Sequence, residues 1–255
     1  MVAVTLTQAQ DLLLAVAGLG AGVVNGAAGG GTLVSFPALL AVGYPALTAN
    51  VTSTVGIWSG YLGGAAGFQR EVVAQRHRVR ALGGTVVAGA VLGGILLLTT
   101  PSADFRLLAP YLLLLSCLLF AVQPLLVPWL GRRDEGRRVH VVLLHGGSFV
   151  AAAYGSYFGA GLGVVLLAVL ATAIPGPLVQ INGLRSVLAL LVNTVAVLIF
   201  AIHATVAWEV AGMMAAGALV GGYIGAHLAR RVPPVVLRVV VVVLGLAAAA
   251  HLLAG

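Results

Sequence analysis

A glycine-rich stretch near the start of the chain reads GAGVVNGAAGGGTLVSFP (residues 20–37), and its pattern returns in the second half as GSYFGAGLG (residues 155–163). The match continues beyond the glycines with a constant offset. The paired positions lie 132 residues apart: Gly29 and Gly161, Gly31 and Gly163, Pro45 and Pro177, Asn50 and Asn182, and Thr54 and Ser186. Such a duplication within a hydrophobic chain is typical of secondary transporters, whose substrate sites lie where two repeats meet.

The composition around this repeat is that of a membrane protein. Hydrophobic residues make up 61% of the chain and charged residues only 7%, against about 25% charged residues in soluble domains. The net charge of +7 comes from 13 basic residues, all of them Arg, and six acidic residues. Because the Arg residues cluster in short loops, this charge indicates membrane topology and not nucleic-acid binding. Glycines recur at every fourth position, as at Gly18, Gly22 and Gly26, a spacing that lets helices pack closely.

Ten apolar segments are predicted, five in each of two repeats that cover residues 1–130 and 131–255. Their ranges are 9–28, 32–43, 46–68, 79–99 and 105–129 in the first repeat, and 139–158, 163–174, 178–203, 209–228 and 234–253 in the second. The second segment of each repeat is short, about 18 Å of helix against a hydrocarbon core of about 30 Å. Each short segment follows a glycine-rich break, and such pairs at matching positions indicate a transport site.

The Arg-rich loops predict that the two repeats have opposite orientations. The loop 70–80 holds four Arg, whereas its counterpart 203–209 holds none. The loop 99–106 holds one Arg, whereas its counterpart 230–238 holds three, and the linker 131–140 holds four more. If Arg-rich loops face the cytoplasm, corresponding loops lie on opposite sides of the membrane, which gives inverted repeats with both termini on the periplasmic side. A parallel duplication is the alternative.

The two glycine breaks are candidate anion sites. After each break a new helix is expected to begin, near Thr32 and near Val164. The first N–H groups of a helix have no partner within it, and the helix dipole adds partial positive charge there. Glycines let an anion approach this backbone closely. The alternative interpretation is that each break is only a tight turn between packed helices.

Polar residues follow each short helix at helical spacing, as Asn50 and Thr54 in the first repeat and Asn182 and Ser186 in the second. They either line a transport path or hydrogen-bond between helices. Arg185 is the only Arg well inside an apolar segment, about 12 Å from its start if the segment is helical. Its guanidinium either pairs with an oxyanion or extends toward the membrane interface.

Other classes of site have little support in the sequence. No nucleophile–base pair and no group of metal ligands is evident, so neither an enzyme nor a cofactor or metal site is predicted. The acidic residues Asp11, Asp104 and Glu209 lie near segment ends, which argues against an acid-based proton relay. Cys117 is the only cysteine and cannot form an internal disulfide.

Two stretches resemble the motifs of a known family, the TauE/SafE sulfite-exporter family of permeases. The first is residues 20–37 followed by TANVTS at residues 48–53; the second is residues 155–163 followed by NGLRS at residues 182–186. The likeness covers nearly the whole chain. It implies a permease of the bacterial inner membrane for small sulfur-containing anions such as sulfite, sulfonates or sulfoacetate, with the direction of transport left open.

The sequence therefore predicts an all-α, polytopic integral membrane bundle of two inverted five-segment repeats that works as a permease by alternating access. An anion channel, a permease for a different small anion, a membrane-embedded enzyme and a membrane scaffold are the alternatives. The expected partners are a small anion and the lipid bilayer, with a homo-oligomer possible and no nucleic acid. The predicted substrate-binding residues are Gly29, Gly30, Gly31, Thr32, Asn50, Thr54, Gly161, Gly163, Asn182, Arg185 and Ser186.

Overall fold

The computed structural model describes residues 7–131, 141–229 and 235–254, and this part of the chain is helical without a β-strand, as the sequence predicts. Its helices, in chain order, are α1 (Gln8–Ala27), α2 (Thr32–Ala41), α3 (Ala46–Gly67), α4 (Gln69–Ala74), α5 (Arg76–Thr99), α6 (Ser102–Gly131), α7 (Val141–Tyr157), α8 (Leu162–Ala173), α9 (Leu178–His203), α10 (Trp208–Leu228) and α11 (Val235–Ala254). Five of these, α1, α5, α6, α9 and α10, are long and apolar enough to cross a membrane.

Each of the ten predicted segments corresponds to one helix, with ends within about three residues of the prediction. The loop predicted at 70–80 is wrong, because its residues form α4 and the first turn of α5, with Gln75 between the two helices. Arg, Gln, Glu and Ala favour helix, but a charged exposed helix has no hydrophobic signal to separate it from a loop. The connections 132–140 and 230–234 lie outside the described residues.

The 132-residue repeat extends to the helices and their packing. Ala46 and Leu178 begin α3 and α9, and Arg76 and Trp208 begin α5 and α10. Helices α1 and α3 pack against α10, and their counterparts α7 and α9 pack against α5. Likewise α6 contacts α8, and α11 contacts α2. Helices α5 and α10 therefore pack mainly with the opposite half of the chain, and the domain boundary at residue 130 stays a prediction.

Helices α3 and α9, which are equivalent in the repeat, run in opposite directions. Near the start of α3, the hydroxyl of Thr52 accepts a 3.1 Å hydrogen bond from the N–H of Ala207, which follows the end of α9. Beyond the end of α3, Glu71 lies over the start of α9, since a Cβ on Gly183 would be 2.6 Å from the Cβ of Glu71. The start of each helix therefore lies at the end of the other.

Helices α1 and α2 form a hairpin with the first glycine break at its tip. Tyr44 lies in the connection that follows α2, and its pKa is raised by burial and by the carboxylates of Glu209 and Asp11. Asp11 lies in the first turn of α1 and Glu209 in the first turn of α10. The chain thus returns after α2 to the end of the bundle at which α1 starts, and residues 28–31 lie at the far end of the hairpin.

The hairpin packs against α10 through small residues. A Cβ on Gly22 would overlap the backbone of Ala218, and a Cβ on Gly26 would overlap the backbone of Gly222. The close helix approach predicted from the fourfold glycine spacing is confirmed here. Backbone contact of this kind stabilises membrane helices because lipid chains compete with any looser apolar packing.

Candidate functional site

The two glycine breaks touch each other. The N–H of Gly163, in the first turn of α8, donates a 3.0 Å hydrogen bond to the carbonyl of Gly29 in the first break. A Cβ on Gly29 would lie 2.5 Å from the Cα of Gly163, closer than packed atoms allow. Gly29 also has a φ of +78°, a conformation that favours glycine. Both positions therefore need glycine for the breaks to meet.

The first break is fixed by the side chain of Asn25, near the end of α1. Its Oδ1 accepts a 2.7 Å hydrogen bond from the N–H of Gly31, just before α2. This bond and the bond from Gly163 to Gly29 occupy two of the N–H groups that the sequence offered as anion donors. These two N–H groups are therefore already paired within the protein, whereas the partial positive charge of the helix starts remains at this point.

Helix α6 covers one side of the place where the two glycine breaks cross, which we call the crossing. The hydroxyl of Ser116 lies 3.0 Å from the carbonyl of Ala160 in the second break and 2.7 Å from the hydroxyl of Tyr154. The ring of Phe120 fills the space where a side chain on Gly30 would lie. These contacts close the crossing toward α6 and leave its opposite side to α3 and α9.

A small cavity lies on that opposite side. Its lining comes from α1, α3, α8, α9 and the first break: Asn25, Gly29, Tyr61, Gly64, Gly163, Arg185, Ser186 and Ala189. About 10 Å³ is open to the centre of a water molecule, which is room for roughly one water. The site is thus nearly closed in this conformation, and a larger guest requires the helices to separate.

Arg185 supplies the positive charge of the cavity. The side chain is 1% exposed and is directed at the first break, since its Nη1 would lie 3.1 Å from a Cβ on Gly29. Nη2 makes one long contact of 3.5 Å with the carbonyl of Gly26. Nη1 has no hydrogen-bond partner among the described residues, and no carboxylate of these residues forms a salt bridge with Arg185.

Three further buried polar groups at the cavity also lack a partner among the described residues. They are the Nδ2 of Asn25, the hydroxyl of Tyr61 and the hydroxyl of Ser186. Each can donate a hydrogen bond. Buried polar groups in proteins are nearly always paired, and an unpaired one costs about 1–3 kcal/mol. Four such groups, Arg185 included, around one cavity indicate a site for a molecule rich in acceptors.

Comparison with known proteins identifies the family. The profile of the family described as Sulfite exporter TauE/SafE matches residues 14–252. The chain belongs to the TauE/SafE family. The predicted resemblance is therefore confirmed over nearly the full length.

Curated relatives of this TauE/SafE chain carry transporter names. A "Probable membrane transporter protein" of Haemophilus influenzae is 27% identical over 89% of this chain and 88% of its own length. The "Probable membrane transporter protein YfcA" of Escherichia coli K12 is 26% identical over 91% of this chain and 86% of its own. The "Probable membrane transporter protein ORF9" of a Sinorhizobium species is 26% identical over 94% and 91%. Together with the long apolar helices, these matches identify an integral membrane transporter.

The structure brings several predicted site residues of this family member together. Gly29, Gly163, Arg185 and Ser186 line the cavity. The others of the glycine breaks lie in or beside the crossing: Gly30 under Phe120, Gly31 bonded to Asn25, Gly161 near Ser116, and Thr32 beside Gly159.

The remaining predicted site residues lie elsewhere. The amide of Asn50 donates to the carbonyl of Tyr157 at 3.0 Å, and the hydroxyl of Thr54 donates to the carbonyl of Asn50. Asn182 is partly buried in the first turns of α9. None of the three lines the cavity, and their role in binding stays a prediction.

Asn25 and Tyr61 line the cavity but were not among the predicted site residues. Each carried a usable signal in the sequence. Asn25 is the only amide within the long apolar part of the first segment after Gln10, and Tyr61 follows Thr54 by seven residues on the same helix face. The sequence does not show how α1 and α3 are rotated about their own axes, and this rotation turns both side chains toward Arg185.

Proposed function

We propose that the protein is a permease for small sulfur-containing oxyanions such as sulfite or organosulfonates, and that the anion binds at the cavity beside Arg185. The observation that carries this proposal is the set of four buried donors without partners where the two glycine breaks cross. The family description supports a sulfur oxyanion as the substrate. A permease for another small anion is the alternative, and we expect no catalytic activity.

The energetics of Arg185 favour an anion at this place. Leaving a buried charge without its partner costs about 3–5 kcal/mol, so an anion that pairs with the guanidinium is strongly stabilised. A planar guanidinium presents parallel N–H groups that match two oxygens of one oxyanion. The starts of α2 and α8 at the crossing add partial positive charge. These contributions act on the same small volume.

We propose further that the two repeats are inverted and that the protein works by alternating access. The opposite directions of α3 and α9 support inversion. The packing contacts suggest that the moving units are not the two sequence halves. They are α1, α2, α3 and α10 on one side, and α5, α7, α8 and α9 on the other, with the breaks at their seam. We place the protein in a bacterial inner membrane with both termini on the periplasmic side.

The proposal is tested by sulfite flux into proteoliposomes that contain Arg185→Ala, Arg185→Lys or Arg80→Ala. Arg80 is exposed near the start of α5 and serves as the matched control. Loss of a charge-assisted hydrogen bond is worth about 1.5–3 kcal/mol, so Arg185→Ala is expected to reduce flux at least about tenfold. Arg185→Lys keeps the charge without the planar fork and is expected to be intermediate.

Wild-type flux in Arg185→Ala would remove Arg185 from the substrate site. The dependence of the flux on substrate concentration also distinguishes a carrier from a channel. A carrier saturates with substrate, whereas an anion channel gives a conductance that can be recorded across a planar bilayer. Anion conductance without saturable sulfite flux would contradict the permease proposal and support the channel.

A further inference from the structure

The amide of Asn25 has a fixed orientation. A backbone N–H can only donate, so the side-chain atom that lies 2.7 Å from the N of Gly31 must be the oxygen. The NH₂ group of Asn25 then faces away from this bond. It is buried, it has no partner among the described residues, and Asn25 lines the cavity. Asn25 is therefore held as a donor to whatever occupies the cavity.

Tyr61 supplies a second neutral donor from a different helix. Its hydroxyl lies in the neighbourhood of the side chains of Asn25, Asn193 and Arg185, yet it meets hydrogen-bond geometry with none of them. The Nδ2 of Asn193 donates a 3.0 Å hydrogen bond to the carbonyl of Ala189. The hydroxyl of Tyr61 is thus a buried donor beside the guanidinium of Arg185.

We propose that Asn25 and Tyr61 are substrate-binding residues whose neutral donors make the site prefer a singly charged anion with three oxygens on one central atom to a carboxylate and to a dianion. This inference rests on the function proposed above and adds two selectivity residues to the same site. Neither residue was assigned to the site by the sequence motifs.

The number and direction of the donors argue for three oxygens. Unpaired donors approach the cavity from three helices: Asn25 from α1, Tyr61 from α3, and Arg185 with Ser186 from α9. The three oxygens of an –SO₃⁻ group point in three directions and can meet donors from all three helices. The lone pairs of a carboxylate lie in one plane, so a carboxylate matches donors on three different helices less well than three oxygens do.

The charge of the cavity argues for a single negative charge. Arg185 is the one cation among the residues that line it, and Asn25, Tyr61 and Ser186 are neutral. A dianion of similar shape, such as sulfate, would bring a second charge into a buried site without a second cation, which carries a large desolvation cost. Neutral donors can pair with the oxygen lone pairs, but they do not compensate a second negative charge as a second cation would.

The test is competition against radiolabelled sulfite for binding to the purified, full-length protein in detergent. The competitors are methanesulfonate, acetate and sulfate, which differ in oxygen count or charge. The wild-type protein is expected to bind methanesulfonate at least about tenfold more tightly than acetate or sulfate. A tenfold difference in affinity corresponds to about one buried hydrogen bond. Equal competition by acetate or by sulfate would overturn the inference.

Two variants test the residues. Tyr61→Phe removes only the hydroxyl and is expected to reduce the preference for methanesulfonate over acetate by about tenfold. Asn25→Asp keeps an oxygen for the N–H of Gly31 but sets a carboxylate beside Arg185, so anion binding should be lost. Tyr223→Phe, on the exposed face of α10, is the matched control and should behave as wild type.

The outcomes separate the two proposals. If wild-type protein binds sulfite and both Tyr61→Phe and Asn25→Asp keep wild-type affinity and selectivity, the inference fails and the proposed function stands. If no oxyanion competes and sulfite does not bind at all, the proposed function fails and the inference falls with it. Should Asn25→Asp not fold, as judged from its gel-filtration profile, Tyr61→Phe decides alone, because it removes a single hydroxyl.

Discussion

At the scale of single residues, the site needs glycines, which have no side chain, as much as it needs Arg185. Gly29 and Gly163 bring two backbone segments into contact at 3.0 Å, and Arg185 reaches the crossing because nothing larger than hydrogen extends from Gly29. A charged group 1% exposed in an apolar bundle is unusual, and its isolation is the strongest sign of a binding role. Two glycines and one arginine thus define where an anion is expected to bind.

Gly163→Ala is expected to abolish transport and to lower the thermal stability of the purified protein. The added methyl group would overlap the Cα of Gly29, and overpacking of this kind costs about 1–3 kcal/mol. Gly146→Ala in α7 is the matched control, because a Cβ there meets nothing within 4 Å. The measurements are sulfite flux and a melting curve in detergent. A Gly163→Ala protein as active and as stable as Gly146→Ala would contradict the close crossing of the breaks.

At the scale of elements, each glycine break is followed directly by a short helix. Helix α2 has 10 residues and α8 has 12, about 15 and 18 Å, which is less than the thickness of a hydrocarbon core. Irregular backbone within a membrane protein is tolerated where protein buries it or it lines a cavity. Here the contact between the breaks, Asn25 and helix α6 provide that burial.

Within residues 7–131, 141–229 and 235–254, helix α4 has no counterpart in the second half. It lies between α3 and α5 and packs against α9, with Glu71 over Gly183, two residues before Arg185. The equivalent connection between α9 and α10, residues 204–207, contains no helix. The two ends of the bundle are therefore closed by different structures, although the repeats share their main helices.

The packing of α1 on α10 leads to a prediction with both variants on one helix. Gly22→Ala places a methyl group against the backbone of Ala218, whereas Gly20→Ala meets only Val34 at 3.7 Å, an ordinary contact. Gly22→Ala is expected to lower the melting temperature by several degrees, consistent with a cost of about 1–3 kcal/mol. Gly20→Ala is expected to change it little. Equal melting temperatures for the two variants would show that α1 and α10 do not approach this closely.

At the scale of the whole molecule, the exchange of α5 and α10 between the halves determines which parts can move together. Helix α10 packs with α1 and α3, and α5 packs with α7 and α9. Each side of the seam contains helices from both halves of the sequence. The two sides that move apart therefore cannot be the two sequence halves. Alternating exposure of the cavity is therefore expected to open the contact between α3 and α9 and the bond between Gly163 and Gly29.

Inversion of the repeats predicts opposite membrane sides for two matching connections. Gln69→Cys, after α3, and Thr205→Cys, after α9, are exposed positions that can be introduced separately into a Cys117→Ser background. A membrane-impermeant thiol reagent applied to whole cells is expected to label Thr205→Cys and to spare Gln69→Cys until the cells are opened. Labelling of both positions in intact cells would contradict inversion and favour a parallel duplication.

The sequence by itself determined the features that are local. Hydrophobicity and segment length are properties of consecutive residues, so the ten apolar helices, the two glycine breaks and the short helices after them follow from the pattern. The constant offset of 132 residues identified the repeat, and Arg185 was conspicuous as a charge inside an apolar segment. The charged helix α4 was missed because hydrophobicity gives no signal for an exposed helix.

Only the tertiary structure decided which of these features meet. It joined Gly29 to Gly163 and added Asn25 and Tyr61 to Arg185, while Asn50 and Thr54, equally polar and on the same stripe, bond within a different part of the bundle. The physical reason is that the rotation and crossing of each helix depend on how all its neighbours pack. A change of one residue in helix rotation, about 100°, moves a side chain from a cavity to a closed interface. Residues more than 100 positions apart in the chain became neighbours through that packing alone.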